Sequence, residues 1–100
     1  MWLGKVVGTV VATQKNDGLV GSKLLIIQPL NLDGMNTISL QVAVDTVGAG
    51  NGETVLVVGG SSARQVMADE KTAIDAAIIG IVDAIELEGV AKAQYWMQRG

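Results

Sequence analysis

The stretch from Thr37 to Asp45 alternates with a period of two: Ile38, Leu40, Val42 and Val44 fall on one face, and Ser39, Gln41, Ala43 and Asp45 on the other. A helix repeats every 3.6 residues, so this pattern admits a half-buried strand and little else. Other apolar runs are short, β-branched and bounded by Gly, Asn or Asp, which makes strand-and-turn the grammar of the whole chain. Leu3 to Thr13 is rich in valine and interrupted by Gly8, where a strand can bulge or bend. Asn16-Asp17-Gly18 then supplies a turn. Lys23 to Leu30 is the second strand, with the only proline, Pro29, near its end. A loop over Asn31 to Asn36 contains Asp33-Gly34. Glu53 to Val58 is the fourth strand, after the glycine-dense segment G-A-G-N-G. Ala76 to Leu87 is the fifth. Its alanines would tolerate a helix, but Ile78, Ile79, Ile81, Val82 and Ile85 favour a strand.

Between the fourth and fifth strands, Ser62 to Ala68 reads as a short helix. Ser62-Ala63-Arg64-Gln65 has the S-x-x-Q form of a capping box, in which Ser62 and Gln65 satisfy each other's backbone donors. Five strands and one helix predict an all-β fold, mainly β with one short helix: a five-stranded OB-like barrel. It occupies residues 1–87 as one domain, and 88–100 form a C-terminal tail.

Composition narrows the chemistry. The 100 residues contain no histidine and no cysteine, which removes the commonest general base, the commonest metal ligands and any disulfide framework. We therefore expect no catalytic residues, no metal and no cofactor. The net charge of −3 opposes binding to nucleic acid or to an anionic membrane. Met1 to Gly8 lacks the basic start and apolar stretch of a signal peptide, and no apolar run approaches the ~20 residues that span a bilayer. Only 17% of residues are charged, where about 25% is usual. A small domain has much surface to cover, so part of it is expected to meet other protein, although small uncharged residues could also fill it.

Individual motifs carry a bland and a sharp reading. Gly48-Ala49-Gly50-Asn51-Gly52-Glu53 lacks the G-x-G-x-x-G spacing and is followed by a strand, so it reads as a tight turn and not a dinucleotide loop. Gly60-Ser61-Ser62 enters a helix, where free amides can meet anions; ordinary capping by Ser62 is the plainer account. Arg64 in the first helical turn opposes the helix dipole. An ion pair with Glu53 or Asp45, possible across a subunit boundary, would offset that; a solvated arginine is the alternative. Asp45, Asp75 and Asp83 flank strands, where loop hydrogen bonding is the expected role. Tyr95 and Trp96 either pack locally or anchor the tail on a neighbour.

Five segments, taken together, resemble one family. They are V-V-A-T near the start, K-L-L-I-I-Q-P-L (23–30), V-A-V-D-T-V-G-A-G-N-G-E (42–53), G-S-S-A-R (60–64) and D-A-A-I-I-G-I-V-D (75–83). In this order and spacing the chain, from Met1 to Leu87, is similar to the bacterial microcompartment vertex proteins, the EutN/CcmL family. The resemblance implies a homopentamer that caps the five-fold vertices of a polyhedral shell in the bacterial cytoplasm, alongside hexameric shell proteins. It also implies a pore lined by Gly60, Ser61 and Ser62. From their own residue types, and not from the resemblance, Asp45, Glu53, Arg64, Tyr95 and Trp96 are the expected subunit-interface residues. Two other classes compete. An OB-type nucleic-acid binder would need a basic groove and strand aromatics, yet none of the three aromatics lies in the central strands. A small enzyme without histidine or cysteine would depend on carboxylates, Lys or Arg alone, and no such constellation is visible; another small oligomeric binding module stays the alternative beside the OB-type binder.

Overall fold

The computed structural model describes residues 1–12, 21–32, 39–60, 63 and 75–88. Among these the chain forms β1 (Trp2–Val10), β2 (Lys23–Pro29), β3 (Gln41–Asp45), β4 (Thr54–Gly59) and β5 (Ala76–Val82). They close into a barrel in the order β1-β2-β3-β5-β4. Every pairing is antiparallel except β3 with β5, which is parallel and short, at Val44↔Ala77 and Asp45↔Ile78. The fifth segment is thus a strand and not a helix, but pairing stops at Val82, five residues before the expected Leu87. The expected turn at Asn16-Asp17-Gly18, the loop at Asp33-Gly34 and the strand residues Thr37 and Ile38 lie outside the described residues. So does the helix expected over Ser62–Ala68, apart from Ala63, which is helical and fully buried.

Strand parity explains the core. Val6 on β1, Leu25 and Ile27 on β2, Ala43 on β3, Val55 and Val57 on β4 and Ile78 on β5 fill the barrel, with Trp2 and Ala76 packed against them. Ala49, from the loop after β3, closes the same cluster. A second cluster lies on the opposite parity, outside the barrel wall: Val44, Val58 and Ala77, with Ala63 of the helical segment against them and Leu24 and Ile79 at its margin. Bulges between Val6 and Gly8 and between Leu56 and Val57 tighten the curvature that a five-stranded closure demands.

The alternating stretch 37–45 has an unexpected polarity. Its larger apolar side chains, Leu40 and Val42, are exposed, while the small Ala43 points inward. A five-stranded barrel encloses little volume, and Leu25, Ile27, Val55 and Val57 already occupy it. The alternation therefore marks a strand, as expected, but its apolar face is the outer one.

Gly4 is the tightest point of the wall. A Cβ there would collide with Ile27 Cγ2 and come within 3.1 Å of the Trp2 ring and 3.2 Å of the Gln28 carbonyl. Trp2 and Ile27 fill the interior because this position has no side chain. Gly4→Ala is expected to lose about 1–3 kcal/mol through overpacking, despite alanine's lower unfolded-state entropy. Urea unfolding at fixed protein concentration measures it; unchanged stability would mean the wall relaxes freely.

Candidate functional site

Among the described residues the loop from Asp45 to Glu53 is densely hydrogen-bonded. Asp45 ends β3, and its carboxylate accepts three consecutive backbone donors. Oδ1 takes the N–H groups of Val47 (3.0 Å) and Gly48 (3.2 Å), and Oδ2 takes that of Ala49 (2.9 Å). Successive amides converging on one point make an anion-binding concavity; here the chain's own carboxylate fills it. Lys23 Nζ donates to the Ala49 carbonyl at 2.8 Å. The Thr46 hydroxyl donates to Ile78 O at 2.6 Å and ties the loop to β5. Glu53 closes the far end: its Oε1 accepts from Gly50 N–H at 2.7 Å, while its own N–H donates to Gly50 O at 3.2 Å. Two further backbone bonds, Val6 N–H to Glu53 O and Gly52 N–H to Val6 O, pin the loop on β1.

This settles the reading of G-A-G-N-G-E. The amides of Gly48, Ala49 and Gly50 go to Asp45 and Glu53 and that of Gly52 to Val6 O, so the segment is a braced turn. It also places two of the expected interface residues. Asp45 and Glu53 sit at the two ends of one loop and brace it internally; neither meets a cation among the described residues. Glu53 Oε2 accepts no hydrogen bond among those residues.

Gly60, the first expected pore residue, follows β4 with φ of 59°. Its N–H donates to the Asp75 carbonyl at 3.0 Å, so this amide is not available to an anion. The bond uses the Asp75 backbone carbonyl, so it does not test the side-chain role expected of Asp75. Ser61, Ser62, Arg64, Tyr95 and Trp96 lie outside the described residues. The third carboxylate, Asp83, is exposed just beyond β5. Among the described residues no cluster of acidic side chains could hold a metal ion, and no helix is long and apolar enough to cross a membrane.

Sequence reasoning passed over two features. One is an open cavity of about 360 Å³ at one end of the barrel, lined by Trp2, Pro29, Leu30, Gln41, Asp75 and Ala76. These residues are scattered over the chain, and only barrel closure brings them together. The other is the outer surface of β1, β2 and β3. In register across it lie Gly8, Ile26 and Val42, and beside them Val10, Leu24 and Val44. Leu40, one residue before β3, extends this surface. Leu40 is 56% exposed and Val42 48%. The signal was the clean alternation itself, once the parity of the barrel is known.

Among the described residues the structure is a closed five-stranded OB-like barrel with a polar loop braced on itself and a partly exposed apolar surface on β1, β2 and β3. The chain belongs to the EutN/CcmL family, whose model, described as "Ethanolamine utilisation protein EutN/carboxysome", matches residues 1–83. It is 56% identical over 86 residues to the bacterial microcompartment shell vertex protein GrpN of Rhodospirillum rubrum, covering 86% of this chain and 97% of that one. It is 49% identical over 89 residues to the shell vertex protein PduN of Salmonella typhimurium, covering 85% and 98%. The solved structure of the GrpN pentameric shell protein matches with a TM-score of 0.78 at 55% identity, over 88% of this chain and all of that one. These relatives are shell proteins by name, which favours the shell reading over the OB-type alternative.

Proposed function

We propose that this chain is a structural subunit of a bacterial microcompartment shell, assembling as a homopentamer that caps its five-fold vertices. The observation that carries this is the match to a pentameric shell protein over that protein's entire length, at 55% identity. At such identity both the fold and the surfaces it presents are expected to persist. The physical role follows from geometry. A head-to-tail contact closes into a ring when its rotation divides the circle, and a sheet of hexamers needs five-fold pieces to close. Hexameric shell proteins in the bacterial cytoplasm are thus the partners, and the chain itself performs no catalysis. Native mass spectrometry is expected to find five copies per particle at micromolar concentration; a monomer or dimer there would overturn the assembly.

Within that ring, Gly60, Ser61 and Ser62 line the axial pore. Asp45 and Glu53, held by the braced loop, face the subunit boundary together with Arg64. Residues 1–87 are the barrel unit and 88–100 the tail, with Tyr95 and Trp96 reaching a neighbour. Support for this division comes from the relative: 88% of this chain spans all of the pentameric GrpN structure. Truncation before Val90 is accordingly expected to leave the barrel folded and the ring formed, with lower ring stability if Tyr95 and Trp96 contribute. Circular dichroism and native mass spectrometry would read both; an unfolded truncated chain would place the tail in the core.

A further inference from the structure

The braced loop contains a reactive pair that no role described so far uses. Of Asn16, Asn31, Asn36 and Asn51, only Asn51 is followed by glycine. Asn51 and Gly52 form a turn, and both are exposed. The Asn51 side chain makes no hydrogen bond among the described residues. Gly52 has φ of 88°, and a Cβ placed there would meet no atom within 4 Å, so the turn is uncrowded at this point.

An asparagine before glycine is chemically unstable. Once the Gly52 amide nitrogen has lost its proton to a base in solution, it can attack Cγ of Asn51. A C–N bond forms, the Cγ–Nδ2 bond breaks, and the leaving nitrogen departs as ammonia. The cyclic imide that results is opened by water at either carbonyl. One opening gives aspartate; the other gives isoaspartate, in which the main chain runs through the former side chain. The balance is water taken up and ammonia released, with no oxidant, metal or second protein. Such chemistry makes asparagine one of the thermolabile residues. Glycine favours it because no side chain obstructs the attack and the backbone turns freely.

In this fold the attacking nitrogen is occupied. Gly52 N–H donates to Val6 O at 2.8 Å, and Val6 N–H donates to Glu53 O at 2.9 Å. The Glu53 carboxylate holds the other side of the turn through Gly50 N–H. An amide whose proton is held by an acceptor is slow to lose it, so the turn must leave β1 before the attack. We infer that Asn51 is a site of spontaneous deamidation whose rate is set by release of the 50–53 turn from β1, with the Val6 carbonyl as the guard. The inference stands apart from the pentamer reading. Its product changes the loop: aspartate adds a carboxylate to a segment that already carries Asp45 and Glu53. Isoaspartate lengthens the backbone within the turn and shifts Gly52 relative to Val6.

The full chain is incubated in mildly alkaline buffer, folded and in urea that unfolds it. Peptide mass mapping follows aspartate and isoaspartate at each asparagine. Conversion is expected at Asn51 in both states and ahead of Asn16, Asn31 and Asn36, with the folded chain slower by about ten- to a hundredfold. Hydrogen exchange gives an independent measure of the same opening, because the Gly52 amide exchanges only when its bond to Val6 breaks. Its protection factor in the same buffer is expected to match the slowing of deamidation to within about threefold. A neighbouring copy that covered the loop would slow both alike, so the comparison holds for a ring as well as for a single chain. A folded chain with no detectable conversion at Asn51 after about a hundred unfolded-state half-lives would mean that Asn51 is no site in the native protein. Equal rates in the two states, or a slowing far from the Gly52 protection factor, would overturn the guard at Val6.

Discussion

Asp45→Ala is expected to destabilise the folded chain by about 2–4 kcal/mol, a large share of the stability of any domain this small. Its carboxylate accepts three consecutive backbone N–H groups. Hydrogen bonds to a charged group contribute about 1.5–3 kcal/mol each, but these three share one acceptor and two lie at an exposed turn, so they do not add. The decisive donor is that of Ala49. Ala49 is fully buried and packs into the barrel core, so its N–H would be left without a partner and without water. Asp45→Asn keeps one side-chain acceptor oxygen and is expected to lose roughly half as much. Urea unfolding of the two variants at one protein concentration separates them, because ring assembly makes apparent stability concentration-dependent. Equal, small losses would mean that the loop holds its shape through Lys23, Thr46 and Glu53 alone.

That loop also shows what could be read in advance. Asp45 beside a glycine-dense segment called for a local role by residue type alone, since a short carboxylate reaches backbone two to four positions on. The strands were legible for a similar reason: β-branched runs and glycine-bearing turns are properties of adjacent residues. Strand ends were less so. β5 ends at Val82 because Thr54 is the last residue of β4 able to pair with it, and no local pattern in 83–88 encodes that. Parity was the hardest. Alternation in 37–45 says that two faces differ, but which one faces inward depends on the barrel's volume. Ala43 fits that volume, and Leu40 and Val42 do not. An apolar strand face turned outward and one turned to a core look identical in sequence. Low overall charge hinted at a partner surface without locating it.

Deleting the gene from its host is expected to leave shell facets assembled but vertices open. Flat hexagonal layers close into a polyhedron only where a five-fold piece replaces a six-fold one; without it they roll into tubes or stop as incomplete shells. On the proposed structural role, no enzymatic step is expected to disappear. The enclosed pathway should instead lose intermediates by leakage. Electron microscopy of shells with and without the gene, paired with a retention assay for a small molecule produced inside, distinguishes the cases. Restoring the gene should restore closure. Closed, retentive shells in a deletion strain with no substitute vertex protein would refute the vertex role. A missing catalytic step beside intact shells would make the chain an enzyme after all.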